Sequence, residues 1–318
     1  MALSCTPDVL TIGRTGVDIY PEQVGVRLED VTTFGKFLGG TATNVAVAVV
    51  RLGRSAAVVT RTGDDPFGRF IHRSLRDFGV DDGAVSAVPD LPTPVTFCEM
   101  FPPDEFPLYF YRFPVAPDLM IRADELPERE IREAPIYWST LTGMCTEPSR
   151  AAHLRAWQLR GRRSHTVLDL DYRPMFWQSP DDAGEAARAA LPQCTIAVGN
   201  REECTVATGE DDPVAAARTM LDLGVQIAIV KQGPEGVLAM SGTECHVVAP
   251  IRVDVVNGLG AGDAFGGALC VGLLEGRSLR ETVCRANAAG AIVAGRVECS
   301  SAMPSGPELD LFLQTRGV

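Results

Sequence analysis

Short apolar runs alternate along this chain with longer stretches whose apolar positions recur at helical spacing. The runs Val9–Ile12, Ala56–Thr60, Ile136–Ser139, Thr166–Leu170, Thr195–Val198 and Ile227–Val230 predict buried strands. Between them the pattern predicts helices at Thr43–Leu52, Phe67–Phe78, Ser149–Arg160, Asp182–Ala190, Arg201–Ala207 and Val214–Leu223. Strand alternating with helix means parallel strands joined by crossover helices, hence an α/β fold, a three-layer α/β/α sandwich. Two segments break the rhythm. Tyr20–Phe37 and Pro94–Arg112 are rich in β-branched and aromatic residues without a helical period. They read as strands outside the main sheet, either a small β-sheet lid over one end or ordinary surface hairpins. The C-terminal third turns helical again, at Ala264–Glu275 and Leu279–Arg296. No repeat or low-complexity linker divides the chain. Residues 1–318 are therefore expected to form a single domain, with lid strands from about 14–37 and 94–113 inserted in it.

Composition narrows the functional classes. A hydrophobic fraction of 46% and a charged fraction of 22% are those of a soluble globular protein. The longest unbroken apolar stretch, Val45–Val50, falls far short of the roughly 20 residues a bilayer span requires. No basic-then-apolar leader precedes Asp8, so a cytoplasmic location is expected and a membrane partner is not. Against 41 acidic residues stand 29 basic ones, a net charge of -12, which argues against a nucleic-acid surface. The 9 cysteines are scattered singly, without a Cys-x-x-Cys pair, and the 4 histidines are dispersed. That pattern fits reduced core thiols rather than a disulfide framework or a zinc site.

One turn concentrates chemistry. The apolar run Val253–Val256, read as a strand, leads into Asn257-Gly258-Leu259-Gly260-Ala261-Gly262-Asp263, which opens a helix of small residues. A strand, a glycine turn and a helix start gather free backbone N–H groups and the positive end of a helix dipole, a setting for an anion such as phosphate. A dinucleotide Gly-x-Gly-x-x-Gly fingerprint fails here, because Asp263 stands where the third glycine belongs. No phosphate-binding Gly-x-x-x-x-Gly-Lys-[Ser/Thr] loop occurs anywhere. A carboxylate beside a phosphoryl group can accept the proton of an attacking hydroxyl, and it can equally cap a helix.

The turn has company. Gly39-Gly40-Thr41-Ala42-Thr43-Asn44-Val45-Ala46, followed by Gly53 and Gly63, resembles the N-terminal signature of the ribokinase-like (PfkB) carbohydrate kinases. Gly260-Ala261-Gly262-Asp263 resembles the C-terminal one. Asn200-Arg201-Glu202-Glu203 and Lys231-Gln232-Gly233-Pro234-Glu235-Gly236 are similar to two intervening motifs, so the resemblance spans about Val9 to Pro304. It implies a ribokinase-like sandwich with a β-lid and ATP-dependent phosphorylation of a sugar hydroxyl. By position, Asp263 becomes the base and Gly260, Ala261 and Gly262 the anion hole. Lys231, Gly233, Gly236 and Asn287 are implied at ATP, and Asn200 and Glu203 at Mg2+ through water. For Glu203 a dipole-stabilised first-turn acid is the plain alternative, and for Asn287 a polar residue on an exposed helix face. Many members use a potassium site near an Asp-Thr pair, whose positions are here Asn257 and Gly258. Lid-mediated homodimers occur in relatives, and the aromatic run Phe106–Phe113 could support one here.

Other stretches bear on the substrate. Gly13–Pro21, Phe106–Arg112 and Leu168–Pro174 are similar to a branch acting on a sugar acid in myo-inositol catabolism. The general family more often has asparagine where Asp171 stands. A protein at -12 must supply local positive charge to hold a carboxylate, and Arg112 and Arg173 are the candidates, since guanidinium matches carboxylate bidentately. Each has an alternative, a salt bridge to an acid such as Asp104 or Asp169. Asp18 and Asn44 are expected on substrate hydroxyls, and Gly39 and Gly40 permit close backbone approach. A kinase of a second keto sugar acid, a fructokinase or nucleoside kinase, and a non-catalytic sugar-sensing relative stay open.

Overall fold

Every expected strand of the α/β rhythm forms, and all of them join one sheet. The structure is a computed structural model that describes residues 3 and 5–317. Its strands are β1 (Val9–Ile12), β2 (Gly16–Pro21), β3 (Phe34–Gly39), β4 (Ala56–Gly63), β5 (Val85–Val88), β6 (Val95–Cys98) and β7 (Leu108–Tyr111). There follow β8 (Ile136–Thr140), β9 (Thr166–Asp169), β10 (Ile196–Asn200), β11 (Ile227–Lys231), β12 (Val237–Ser241) and β13 (Cys245–Val248). The main sheet has nine strands in the order β13-β12-β11-β10-β9-β8-β1-β4-β5. From β11 to β5 all neighbours are parallel, while β12 and β13 add an antiparallel edge.

Alternate side chains of the buried strands enter two separate cores, which is why these strands are apolar on both faces. Ile136 and Trp138 of β8 point to one face, where they meet helices α1 (Thr41–Arg51) and α2 (Pro66–Phe78). Tyr137 points to the other, joined there by the short α3 (Glu128–Glu133) and by α4 (Ser149–Arg160). That second layer continues through α5 (Pro180–Ala190), α6 (Arg201–Thr208) and α7 (Pro213–Asp222). The first layer is completed by α8 (Ala261–Leu274), α9 (Leu279–Ala294) and α10 (Gly306–Arg316). Helix α8 sits close against the sheet because a Cβ on Gly266 would come within 2.7 Å of the Trp138 ring.

The two irregular segments form a separate four-stranded sheet, β3-β2-β6-β7, and so are a lid sheet rather than isolated hairpins. Asp18, Thr96 and Phe110 lie side by side across three of its strands and face the cleft below. The expected strand at Val253–Val256 does not form. Its backbone finds no strand neighbour. Instead the amides of Val256 and Asn257 donate to the Ala294 carbonyl at the end of α9. Among the described residues no helix is long and apolar enough to cross a membrane.

Candidate active site

The carboxyl ends of the parallel strands are where an open α/β sheet leaves a crevice. Here they deliver most of the chemically active side chains. Gly13 and Arg14 follow β1, Asp169 ends β9 with Asp171 and Arg173 just beyond, Asn200 ends β10, and Lys231 ends β11 directly beside Asn200 in register. Helix α8 opens at the same edge. The lid closes over it, leaving a cleft bordered by Arg14, Asp18, Asn44, Arg112, Arg173 and Asp263, among others.

Helix α8 begins at Gly260, whose φ of 81° is left-handed and favours glycine. No side chain caps this helix, so the first-turn N–H groups of Ala261, Gly262 and Asp263 keep no protein acceptor among the described residues. Lys231 reaches this turn: a Cβ on Gly262 would lie 3.2 Å from its Nζ. Burial opposes the lysine charge, but Asp169, Glu203 and Asp263 outweigh it and hold its pKa above the ordinary value. The result is an uncapped helix terminus with an ammonium beside it, aimed at an anion.

Asp263 lies in the first turn of α8 and borders the cleft. Burial pushes its carboxyl up to about 6, against the opposing hydrogen bond from Asn44. That bond runs from Asn44 Nδ2 to Asp263 Oδ2 at 2.7 Å, and Asn44 Oδ1 accepts from Ser300 Oγ at 2.5 Å. Asn44 was expected on substrate hydroxyls; it borders the cleft, yet its amide orients Asp263. On the lid, burial also raises Asp18 to about 6, opposed by a hydrogen bond from Tyr20 and by the charge of Arg14. Tyr20 Oη donates to Asp18 Oδ2 at 2.8 Å. Gly39 faces Asp18 across β2–β3, and a Cβ there would fall 2.2 Å from the carboxyl carbon. Gly40, with φ of 97°, leaves no room for a Cβ against the Arg14 carbonyl at 2.5 Å. Both glycines therefore let parts of the protein itself come close, β3 to the Asp18 carboxyl and the start of α1 to the Arg14 backbone.

The arginines have carboxylate partners other than those foreseen. Arg112 pairs with Asp118 at 2.7 Å, not with Asp104. Arg173 pairs with Asp171 at 3.0 Å and with Glu203 at 3.3 Å, not with Asp169. Burial would lower the Arg173 pKa, but Asp171 and Glu203 raise it, so it stays charged. Asn200 and Glu203 form a reciprocal capping box on α6: Glu203 N donates to Asn200 Oδ1, and Asn200 N to Glu203 Oε2. Gly233 and Gly236 lie in the turn after β11 with φ of 57° and 93°. Asn287, half-buried on α9, donates to the Ala249 carbonyl at 2.9 Å and stands apart from the cleft. Asn257 spans from Leu259 N to the Val297 carbonyl, which its Nδ2 reaches at 2.6 Å.

Sequence reasoning gave no site role to Arg14, Asp171, Asp169, Tyr20 or Cys299. Arg14 and Tyr20 were legible only as parts of the distinctive Gly13–Pro21 stretch, Asp171 as a departure from the family's usual asparagine, and Asp169 as an alternative partner for an arginine. The Arg14 partner, Asp171, is held in both oxygens, and its backbone φ of 30° is a conformation that Asp and Asn tolerate better than other side-chain-bearing residues. Asp169 is forced well above the usual carboxylate range by burial, only partly relieved by Lys231. Cys299 touches Tyr20 Oη at 2.8 Å and lies against Gly260.

This architecture and cleft are those of a ribokinase-like phosphotransferase. A family model described as pfkB family carbohydrate kinase matches residues 6–306, and the chain belongs to that family, whose members are ATP-dependent carbohydrate kinases. Among curated relatives, a 5-dehydro-2-deoxygluconokinase from Photobacterium profundum is 34% identical over 97% of this chain and 95% of its own length. One of the same name from Geobacillus thermodenitrificans is 30% identical over 96% and 93%. Of solved structures, aminoimidazole riboside kinase from Salmonella enterica, complexed with aminoimidazole riboside and an ATP analogue, superposes with a TM-score of 0.82 at 27% identity. It covers 96% of this chain and 99% of its own. A putative ribokinase II from E. coli in complex with ATP and Mg2+ has the same fold, with a TM-score of 0.87 at 23% identity over 96% and 99%.

Proposed function

We propose that this kinase transfers the γ-phosphoryl group of ATP to the terminal hydroxyl of 5-dehydro-2-deoxy-D-gluconate, in myo-inositol catabolism in the cytoplasm. The observation that carries the reading is a half-buried Asp263 beside the uncapped start of α8, in a cleft that three arginines border. The hydroxyl oxygen attacks the γ-phosphorus, the bond to the bridging oxygen breaks, ADP leaves, and the proton passes to Asp263. A carboxyl raised to about 6 is a better acceptor than free aspartate and is still ionised at neutral pH. The N–H groups of the Gly260–Gly262 turn and the Lys231 ammonium meet the charge that develops on the phosphoryl oxygens. Gly233 and Gly236 keep the turn after β11 open to the nucleotide, and Asn287 flanks it on α9.

The donor set decides how Mg2+ is held. Asn200 and Glu203 are committed to each other, Glu203 also to Arg173, and among the described residues no three His, Cys, Asp or Glu side chains are grouped to enclose an ion. That suits an ion that would be held through its water shell, with Asn200 and Glu203 accepting from those waters, and that would neutralise charge on the phosphates. Arg112 and Arg173 hold the substrate carboxylate, while Asp18 and backbone at Gly39 and Gly40 hold its hydroxyls. Relatives named for the same sugar acid support this substrate over a second keto acid or a neutral sugar. A homodimer through the lid is part of the proposal, since Tyr111 and Phe113 are 60% and 77% exposed.

The test is ADP release with ATP and Mg2+ across 5-dehydro-2-deoxygluconate, 2-keto-3-deoxygluconate, fructose, ribose and adenosine. At least a tenfold higher kcat/KM for the first, about 1.4 kcal/mol, is expected. Preference for the second acid moves the pathway, and preference for a neutral sugar discards the arginine pocket.

A further inference from the structure

The cleft contains a third guanidinium, and it is the most firmly held of the three. Arg14 Nε donates to Asp171 Oδ2 at 3.3 Å, and Nη2 reaches both Asp171 oxygens at 3.1 and 2.8 Å and Thr41 Oγ1 at 2.5 Å. Its side chain is 8% exposed and that of Asp171 is 2% exposed. Only Nη1 makes no hydrogen bond to a described residue, although Arg14 borders the cleft. The plane is also fixed from the side, with Arg14 Cζ 5.6 Å from the centre of the Phe176 ring. Arg112 Cζ lies 5.0 Å from that same ring, so two guanidiniums share one aromatic wall.

We propose that Arg14 is a specificity-determining residue for the sugar acid, offering its unpaired Nη1 edge to the substrate carboxylate together with Arg112, and that Asp171 is the positioning residue that aims it. Asp171 does this for two cations at once, because its other oxygen pairs with Arg173. A guanidinium tied by Nε and Nη2 has lost its freedom before substrate arrives, so the remaining edge binds without further ordering of the side chain. An Arg placed this way discriminates through charge and geometry, and a neutral sugar would leave Nη1 desolvated and unpaired.

This inference rests on the sugar-acid reading above, and the experiment separates the two. Wild type, Arg14→Met, Arg14→Lys and Asp171→Asn are assayed for KM and kcat with 5-dehydro-2-deoxygluconate, for ATP Kd by calorimetry, and for Tm. Methionine keeps the contact with the rings and removes the donors; asparagine keeps the left-handed backbone at 171 and removes the charge. Arg14→Met is expected to raise KM for the acid at least tenfold, with a smaller change in kcat and an unchanged ATP Kd. Arg14→Lys should restore part of the loss, and Asp171→Asn should raise KM in the same direction. A wild type that phosphorylates the acid, with folded Arg14→Met unchanged in KM, overturns the role of Arg14 alone. A wild type silent toward every sugar acid overturns the substrate reading and this inference with it. Should Arg14→Met fail to fold, the same KM comparison is read from Arg14→Lys and Asp171→Asn, and two unchanged values overturn the proposal.

Discussion

Replacing Asp263 by asparagine should do two opposite things, and the size of one follows from the structure. In the folded protein burial lifts this carboxyl to about 6 from a reference of 3.8. A gap of about two pKa units corresponds to about 3 kcal/mol that the ionised side chain costs the native state. The sign is fixed by the direction. Because the native pKa is the higher one, the destabilisation is complete above pH 6, fades as pH falls from 6 to 4, and is absent below. Asparagine is nearly isosteric, cannot ionise, and still accepts from Asn44 through its own oxygen. Asp263→Asn is therefore expected to be more stable than wild type by about 3 kcal/mol at pH 8 and indistinguishable from it near pH 3.5. The assay is urea unfolding of both proteins at those two pH values, paired with turnover and with ATP binding. Turnover should fall by several orders of magnitude, because the proton of the attacking hydroxyl has lost its acceptor, while ATP affinity holds. Equal stability at pH 8 would refute the burial argument, and near-normal turnover would refute the assignment of the base.

Asn44→Ala removes the hydrogen bond that, among the described residues, favours the ionised form of Asp263, so the acidic limb of the kcat/KM profile should move upward from about 6 by about one pH unit. A pH–rate series on the variant checks this, and an unmoved limb would mean that Asn44 serves the sugar rather than the base. Arg112→Ala and Arg173→Ala should raise KM for the acid more than for a neutral sugar, and equal effects on both would remove the arginines from carboxylate recognition. Chelating Mg2+ with EDTA should abolish turnover yet leave Tm unchanged, because the α6 capping box is complete without an ion; a drop in Tm would show that the ion is structural. Since the Asn257 amide already bridges its turn to the Val297 carbonyl, ADP release should be the same in potassium and in choline salts, and strong activation by potassium would contradict that.

The central strands could be read from sequence because each is an uninterrupted apolar run, buried on both faces and too short for a helix. The same rule misread Val253–Val256. That run alternates with Arg252 and Asp254, and what it pairs with is a helix terminus, Ala294, that no local pattern announces. The antiparallel edge β12–β13 escaped for a related reason: it lies outside the strand–helix rhythm, and Cys245–Val248 is largely exposed. In the site, what was legible was local. The turn from Gly260 to Asp263 lies within four consecutive residues, so spacing marked it as an anion-binding turn, and the resemblance to the kinase signatures gave Asp263 its role. The pairing of Arg14 with Asp171 joins positions 157 apart, and although both stretches looked distinctive, nothing local ties one to the other. The arginines were correctly drawn to the cleft, but their acidic partners were misassigned, because which carboxylate lies nearest depends on how strand ends are ordered in the sheet.

That ordering also bears on how an acidic protein would hold ATP and the proposed sugar acid in one cleft. Asp169, Asp171, Glu203 and Asp263 all gather near the strand ends, and four carboxylates there would repel phosphate. Burial pushes the Asp169 carboxyl well above the usual carboxylate range, against the pull of Lys231. Three cations, Arg14, Arg173 and Lys231, stand among these carboxylates and offset their charge. With the carboxylates paired in this way, the uncapped start of α8 adds a fixed positive potential at the cleft, and Arg112 brings a further guanidinium from the lid. The net charge of -12 therefore says little about the cleft. What admits the anions is a set of paired charges held in place by one another, with only the unpaired edges turned toward the ligand.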